Sequence, residues 1–252
     1  MTIINESILI TGATSGLGKQ LALDLAENNL VIASGRNPEK LQALTKQNRN
    51  ILTLPFDTAN KGTLYTTQKQ LESLTPRLDR VILNAGICEY LNIQDTNWHV
   101  VEKNCQTNYL GTINSLEICL PLLKKTAGSH IAVVSSLVTE APFIRAEAYG
   151  ASKAALEYFF NALRLDLKSY GIDISIVRPG FVDTPLTRKN DFPMPFLMSV
   201  EKASDTIIKQ LEKRPFNIDF PVRLKYLLTL SKVFPKLWLN LNKGTAPKGI
   251  NA

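Results

Sequence analysis

The sequence predicts an α/β protein with one doubly wound, mainly parallel β-sheet and helices on both of its faces. Short apolar runs alternate with stretches of helical periodicity from the N-terminus onward. A glycine-rich turn joins the first apolar run to the first helical stretch. The chain has 252 residues, of which 44% are apolar and 20% charged, so it can bury one large core.

Seven apolar runs are predicted as strands because they are short, rich in aliphatic residues and bounded by turn-forming residues. They are SILIT at 7–11 and the runs at 30–34, 50–54, 79–84, 129–136, 172–180 and 217–220. Strands that are apolar along their whole length are typical of a sheet covered by helices on both faces.

The segments between these strands have the 3.6-residue periodicity of helices. Leu17, Leu21 and Leu25 form one apolar face of the first helix. Asn37 followed by Pro38 is typical of a capped helix start. Further helices are predicted at 38–47, 62–74, 100–125, 149–169 and 200–213.

The charge is unevenly distributed along the chain. Residues 209–252 hold nine Lys or Arg and two Asp or Glu, which equals the total net charge of +7, so the rest of the chain is neutral. No nucleic-acid-binding motif accompanies this basic segment, and no nucleic-acid partner is expected. His99 and His130 share no ligand spacing, so no metal site is predicted.

Cysteine usage and hydropathy predict the compartment. The three cysteines form no CxxC pair, which favours a reducing environment. No apolar run approaches the roughly 20 residues of a membrane-spanning helix, and the N-terminus lacks a signal-peptide pattern. A cytoplasmic protein is expected, at most peripheral on the inner face of the membrane.

The turn TGATSGLG at 11–18 lies between the first strand and the first helix. Bare backbone and the positive end of a helix suit the pyrophosphate of a dinucleotide. A GxxxGxG spacing also suits any tight strand-to-helix turn, so the motif alone leaves both interpretations open. The candidate cofactor-binding residues in this turn are Gly12, Thr14, Ser15, Gly16, Leu17 and Gly18.

The end of the second strand indicates which nucleotide is bound. Cofactors with a free ribose 2′-hydroxyl usually meet an acidic side chain there. The stretch from Ser34 to Asn37 has no carboxylate, whereas Arg36 offers a bidentate donor suited to a 2′-phosphate. NADPH is therefore preferred, with NAD as the alternative. The other interpretation of Arg36 is a solvated loop arginine.

Tyr149 and Lys153 are four residues apart on the predicted helix at 149–169, so both project from one face. A tyrosine titrates at about 10, too high for efficient proton exchange at neutral pH. A neighbouring ammonium lowers such a pKa. Ser136, at the carboxyl end of the fifth strand, is placed to orient a substrate carbonyl. Each feature alone is common, but with the glycine turn they indicate a catalytic site.

Together these motifs resemble the short-chain dehydrogenase/reductase family. The resemblance covers about residues 5–220 and implies a seven-stranded Rossmann-type sheet. It also implies a catalytic tetrad matching Asn108, Ser136, Tyr149 and Lys153. The motifs that carry it are TGATSGLG (11–18), NAG (84–86), TNYLG around Asn108, Ser136, YGASK (149–153) and RPGFVDT (178–184).

The resemblance implies a role for each member of the tetrad. Tyr149 exchanges a proton with the substrate oxygen while a hydride passes between the nicotinamide C4 and the substrate carbon. Ser136 hydrogen-bonds that oxygen. Lys153 contacts the nicotinamide ribose and lowers the pKa of Tyr149, and Asn108 anchors a water that links the lysine to solvent.

Further cofactor contacts follow from the same resemblance. Relatives that use NADPH often carry a second basic residue just before the middle glycine, but this chain has Ser15 there, so selectivity for NADP rests on Arg36. Tyr149 and Lys153 are expected to contact the cofactor as well. The remaining positions that match the family's cofactor contacts are Asp57, Asn84, Ala85, Gly86, Pro179, Gly180 and Thr184.

The segment between Thr184 and Ser199 is rich in Phe, Pro, Met and Leu. It predicts an apolar substrate pocket and hence a hydrophobic ketone or secondary alcohol as substrate.

Residues 221–252 are predicted as a basic amphipathic C-terminal extension of a catalytic domain at 1–220. The stretch at 220–243 mixes leucines, Trp238 and basic residues. Such a segment lies on an anionic lipid surface, or it packs over the body or against another subunit; the sequence leaves both open.

The leading functional hypothesis is an NADP(H)-dependent carbonyl reductase or alcohol dehydrogenase. The alternative is a catalytically silent NADP-binding sensor or membrane-associated scaffold on the same fold. Members of the family usually pair through two long helices, here predicted at 100–125 and 149–169, so a homodimer or homotetramer is expected.

Overall fold

The protein folds around one seven-stranded, all-parallel β-sheet with strand order β3-β2-β1-β4-β5-β6-β7. The computed structural model describes residues 3–242. Every predicted strand is present within two residues of its expected bounds, and the predicted fold class is confirmed. The strands are β1 (Ser7–Thr11), β2 (Leu30–Gly35), β3 (Ile51–Pro55), β4 (Arg80–Leu83), β5 (His130–Val134), β6 (Asp173–Pro179) and β7 (Asn217–Phe220).

Helices cover both faces of the sheet. Successive residues of a strand point to opposite faces, so Ile8 and Ile10 pack against α1, α2 and α7, while Leu9 packs in the layer of α3, α5 and α6. The helices are α1 (Gly16–Leu25), α2 (Pro38–Thr45), α3 (Leu64–Leu74), α4 (His99–Asn104), α5 (Gly111–Leu123), α6 (Glu147–Leu167), α7 (Val200–Leu211), α8 (Val222–Val233) and α9 (Pro235–Leu241).

The helix predicted at 100–125 differs in one respect from the structure. Between α4 and α5 the chain winds as a π-helical segment, Cys105–Leu110. This wider turn contains Asn108, whose buried side chain bonds to the main chain of Ile87 instead of facing solvent. π-Turns are rare and occur mostly at functional sites, and local periodicity does not reveal them.

The order of the strands creates a crevice. β1 pairs with both β2 and β4, and the chain runs outward from β1 in opposite directions on its two sides. In open parallel sheets, ligands bind beyond the carboxyl ends of the strands at such a reversal. The turn at 11–18 leaves β1 at this point.

Gly18 allows α1 to approach the ends of β1 and β4 closely. A Cβ atom at Gly18 would lie 2.4 Å from Asn84 Nδ2 and 2.4 Å from the backbone oxygen of Gly12. Asn84 Nδ2 in turn donates to the carbonyl oxygen of Thr11 at 3.1 Å. No side chain fits at this position without displacing backbone.

One side of the predicted C-terminal extension packs on the body. Leu224 and Leu228 of α8 are buried with Leu137 and Ala141. Trp238 of α9 donates from Nε1 to the carbonyl oxygen of residue 142 at 2.8 Å. The domain boundary at residue 220 stays a prediction. None of the helices between residues 3 and 242 has the length and apolar character needed to traverse a bilayer.

We predict that Gly18→Ala destabilises the fold by about 1–3 kcal/mol, because the new methyl group overlaps Gly12 and Asn84. Urea unfolding followed by circular dichroism measures the loss. Gly150→Ala is the matched control: a Cβ there lies 3.8 Å from Val138, within a helix, so it should be neutral or stabilising by up to about 1 kcal/mol. If the two variants were equally stable, the close approach of α1 to the ends of β1 and β4 at Gly18 would be contradicted.

Candidate active site

A cleft at the carboxyl edge of the sheet gathers nearly all of the predicted site residues. Gly18 and Asn108 are not part of its wall; both support it from behind. The predicted residues that line the cleft are Gly12, Thr14, Ser15, Gly16, Leu17, Arg36, Asp57, Asn84, Ala85, Gly86, Ser136, Tyr149, Lys153, Pro179, Gly180 and Thr184.

The turn after β1 forms one end of the cleft. Gly12 and Gly16 have φ angles of +68° and +51°, which only glycine adopts without strain. A Cβ at Gly16 would lie 3.1 Å from Thr184, so the turn and the segment after β6 face each other across a narrow gap. The first turn of α1 begins here, and its backbone N–H groups and positive dipole end suit an anionic group.

Arg36 lies at the end of β2, where it is exposed and lines the same cleft. Gly35 before it lets Thr14 approach, since a Cβ there would lie 2.6 Å from the Thr14 methyl group. The buried hydroxyl oxygen of Ser34 has no hydrogen-bond partner within the described residues. Asp57, beyond β3, accepts a hydrogen bond from the backbone of Ala59 at 3.1 Å and keeps its place in the wall.

Tyr149 and Lys153 lie on the first two turns of α6 and face the cleft together. Lys153 Nζ is 5.9 Å from the centroid of the Tyr149 ring and donates to the carbonyl oxygen of Val134 at 2.8 Å. Burial lowers the pKa of Lys153 to about 8, against the opposing influence of Cys88 and Glu157. The ammonium therefore titrates close to physiological pH.

The sequence prediction that Lys153 lowers the pKa of Tyr149 is wrong for this arrangement. Burial raises the pKa of the phenol, the neighbouring Cys88 raises it further, and only Ser136 lowers it. The physical reason is orientation: the Lys153 ammonium points at Val134 O, and the desolvation of Tyr149 dominates. Tyr149 consequently holds its proton at neutral pH.

Ser136 follows β5 and begins a 3-10 turn, Leu137–Glu140. Its Oγ accepts a hydrogen bond from the backbone N–H of Val138 at 3.1 Å. With that acceptor site used, the hydroxyl hydrogen remains available to donate toward the phenol oxygen of Tyr149 or toward a ligand oxygen.

Asn108 clamps the chain that follows β4. Its Oδ1 accepts from the N–H of Ile87 at 2.8 Å, and its Nδ2 donates to Ile87 O at 2.9 Å and to Ser152 Oγ at 2.9 Å. A Cβ at Gly86 would lie 3.1 Å from Asn108 Oδ1 and 3.5 Å from Lys153 Nζ. Asn108 thus positions the wall beside Lys153. The water expected on Asn108 stays a prediction.

The structure adds a group of side chains that the sequence analysis did not single out. Tyr90 donates its hydroxyl to Asn190 Oδ1 at 2.8 Å, and its ring packs edge-on against Phe192 with centroids 5.8 Å apart. Arg145 lies over the same ring and pairs with Asp191 at 2.9 Å. The apolar loop was predicted from its composition, but Tyr90 is 100 residues from Asn190 and no motif links them.

The family model described as short chain dehydrogenase matches residues 6–193. An uncharacterized oxidoreductase of Myxococcus xanthus is 34% identical over 235 residues, which are 91% of this chain and 93% of that protein. Dehydrogenase/reductase SDR family member 7B of Xenopus laevis is 34% identical over 191 residues, 71% of this chain; the match spans 59% of that longer protein.

Among solved structures, a short chain dehydrogenase from Burkholderia cenocepacia in complex with NADP has the same fold. It superposes with a TM-score of 0.84 at 21% identity, covering 97% of this chain and all of that chain. The match of the family model to most of the sequence, together with the relatives, shows that the protein belongs to the short-chain dehydrogenase/reductase family of oxidoreductases.

Proposed function

We propose that the protein is an NADP(H)-dependent oxidoreductase that acts on a hydrophobic ketone or secondary alcohol, with Tyr149 as the general acid and base. The observation that carries this is the shared cleft: the glycine turn, Arg36 and the Tyr149–Lys153 pair line one continuous wall. A nucleotide site and an acid-base pair in one cleft are what hydride transfer to or from a carbonyl carbon needs.

The cleft fits a phosphorylated dinucleotide. Gly12 and Gly16 leave backbone bare where a Cβ would meet Ala85 or Thr184, so a pyrophosphate can approach the start of α1. Arg36 and Lys153 both line the cleft, which supports a role for Arg36 at the 2′-phosphate and for Lys153 at the nicotinamide ribose. When bound, NADP(H) supplies or accepts the hydride.

The side chains around Tyr149 control the proton. Tyr149 donates its proton to a carbonyl oxygen, and Ser136 donates a hydrogen bond to the same oxygen. Lys153, with a pKa of about 8, is the buried group beside Tyr149 whose charge changes near neutral pH. Asn108 keeps the main chain at Gly86 and Ile87 in place beside Lys153.

Aromatic side chains support a hydrophobic substrate. Phe181 and Phe192 pack with ring centroids 6.1 Å apart, and Tyr90 packs on Phe192 from the other side. Phe181 lies between the cleft-lining residues Gly180 and Val182, and aromatic side chains beside a cleft favour apolar, flat or long-chain ketones over small polar sugars. A relative named 11-beta-hydroxysteroid dehydrogenase-like 3, from Arabidopsis thaliana, is 28% identical over 93% of this chain and agrees with this preference.

We infer a homodimer or homotetramer in which α5 and α6 meet their copies. Tyr158 and Leu165 of α6 are 80% and 76% exposed, an unusual degree for large apolar side chains on a long helix. A cytoplasmic location agrees with the three free thiols at Cys88, Cys105 and Cys119.

The purified protein should oxidise NADPH in the presence of long-chain or cyclic ketones, and more slowly with small sugars, followed by the absorbance of NADPH. Tyr149→Phe should lower turnover by about 10²- to 10⁴-fold because it removes the acid. Its affinity for NADPH, measured by fluorescence titration, should not change.

Tyr65→Phe, at an exposed tyrosine of α3 outside the proposed interface, is the control and should keep full turnover. If Tyr149→Phe retained turnover, Tyr149 would not be the acid. If the wild type bound NADPH but turned over no carbonyl compound, the chain would be a silent nucleotide binder.

Arg36→Ser should raise the KM for NADPH by about 10- to 100-fold. The reason is the loss of charged hydrogen bonds to the 2′-phosphate, which contribute roughly 1.5–3 kcal/mol of binding free energy. The KM for NADH should stay the same, since it has no 2′-phosphate. Arg49→Ser, an exposed arginine after α2, controls for the general loss of positive charge. An equal change for both cofactors would show that Arg36 does not recognise the phosphate.

The affinity for NADPH should fall as the pH rises through about 8. Lys153 is charged below this pKa and neutral above it, and only the ammonium favours an anionic nucleotide. Lys153→Met should bind more weakly and with no such fall over the same range. Isothermal titration calorimetry at several pH values measures the NADPH affinity of the wild type and of the variant. If the affinity of Lys153→Met also fell as the pH rises, another group would be responsible for the pH dependence.

A further inference from the structure

We propose that the outer face of α8 and α9 binds the surface of a membrane that contains anionic lipids. We define this outer face by seven large apolar side chains on and beside the two helices that are exposed to solvent. They are Val222, Tyr226, Leu230 and Val233 on α8, with Phe234, Leu237 and Leu241 at and along α9.

The side of α8 that faces the body is already filled. Leu224, Leu228 and Ser231 are buried, and they lie within one narrow arc of the helix at 100° per residue. Tyr226 and Val233 lie on the opposite arc and are 67% and 65% exposed. A helix on a solvated surface normally presents polar residues there, so α8 has a second apolar face that the described residues leave uncovered.

Two lysines of α8 are bound to the body instead of shielding this face. Lys225 pairs with Asp219 at 2.6 Å, and Lys232 pairs with Glu140 at 2.8 Å. Both carboxylates are buried and are also held by Arg178. These ion pairs fix the rotation of α8, so its apolar side stays turned outward.

The basic residues near the outer face favour an anionic lipid surface over a second copy of the chain. Residues 221–252 contain six Lys or Arg and no Asp or Glu, and two of the six, Lys225 and Lys232, are paired with carboxylates of the body. Two copies docked on each other through this surface would bring like charges together, whereas an anionic lipid surface attracts them. Arg223 and Lys236 flank the outer face within the described residues. Basic side chains around an apolar helix face are the pattern of an interfacial helix.

The inner side of α8, opposite the outer face, lies close to the cleft. Leu224 packs directly behind Gly180, where a Cβ would lie 2.7 Å from its Cδ2, and Gly180 lines the cleft. Trp238 packs on Phe143 with centroids 5.7 Å apart, in the same cluster as Phe181. Membrane binding through the outer face therefore leaves only α8 between Gly180 and the lipid. If the proposed function holds, the enzyme takes its substrate from the bilayer.

The test is sedimentation of the full chain with vesicles of phosphatidylcholine mixed with phosphatidylglycerol, and with vesicles of phosphatidylcholine alone. We expect binding to the mixed vesicles that weakens as salt is added. Equal binding to both kinds of vesicle, or binding to neither, overturns the proposal.

Two sets of variants separate the apolar and the charged contributions. Tyr226→Ser with Leu230→Ser should weaken binding to the mixed vesicles at least tenfold. The matched control is Tyr65→Ser with Ile93→Ser, a pair of apolar side chains on other surfaces that are at least as exposed, and this variant should bind as the wild type does. Arg223→Gln and Lys236→Gln should each weaken binding about fivefold.

NADPH affinity and turnover of a water-soluble ketone check that each variant is folded, and they should stay unchanged. A wild-type protein that neither binds NADPH nor turns over the ketone would count against the proposed function and not against membrane binding. If Tyr226→Ser with Leu230→Ser bound vesicles normally but changed the oligomeric state in size-exclusion chromatography, the outer face would be an interface between copies, and the proposal would be wrong.

Discussion

The contact between Thr11 and the turn after β4 holds the two halves of the cleft together. Thr11 Oγ1 accepts hydrogen bonds from the backbone N–H groups of Asn84 and Ala85 at 3.0 and 3.1 Å, and Asn84 Nδ2 donates back to Thr11 O. These bonds join β1 to β4 where the strand order reverses. Gly18 brings α1 against the same amide, so the start of the helix and the wall at 84–86 form one surface.

Burial sets the acid-base chemistry proposed for this surface. It acts in opposite directions on the two side chains, because it disfavours the charged form of each: the pKa of Tyr149 rises and that of Lys153 falls to about 8. Tyr149 is therefore protonated, the form that gives a proton to a carbonyl oxygen. Lys153 is the group whose charge changes near neutral pH, and its bond to Val134 keeps it beside the cleft.

The C-terminal helices are attached through buried charge. Arg178 binds both Asp219 and Glu140, and each carboxylate also binds a lysine of α8. Removing one partner of such a network leaves a buried charge unpaired and typically costs about 3–5 kcal/mol. The attachment therefore depends on paired charges, and it lies next to the loop that follows Ser136. The apolar outer face is thus carried by a helix whose inner side packs against Gly180 of the cleft.

The sequence by itself determined the features of the fold and of the site that depend only on residues close together along the chain. Periodicity and turn chemistry placed the strands and most helix bounds, the glycines of the turn marked its position after β1, and the spacing of Tyr149 and Lys153 put both on one helix face. Arg36 was assigned to the end of β2 by counting along the chain. These features are local, so short-range rules describe them.

Only the tertiary structure decided the features that join distant residues. In the folded chain the Lys153 ammonium donates to Val134 O, and burial raises the pKa of Tyr149, which the sequence had predicted to be lowered. The fold turned Asn108 inward through a π-segment, and it brought Tyr90 to Asn190. It also fixed which side of α8 faces outward, through ion pairs with residues of β7 and the loop after β5. Desolvation and side-chain direction depend on the whole fold, and no local pattern encodes them.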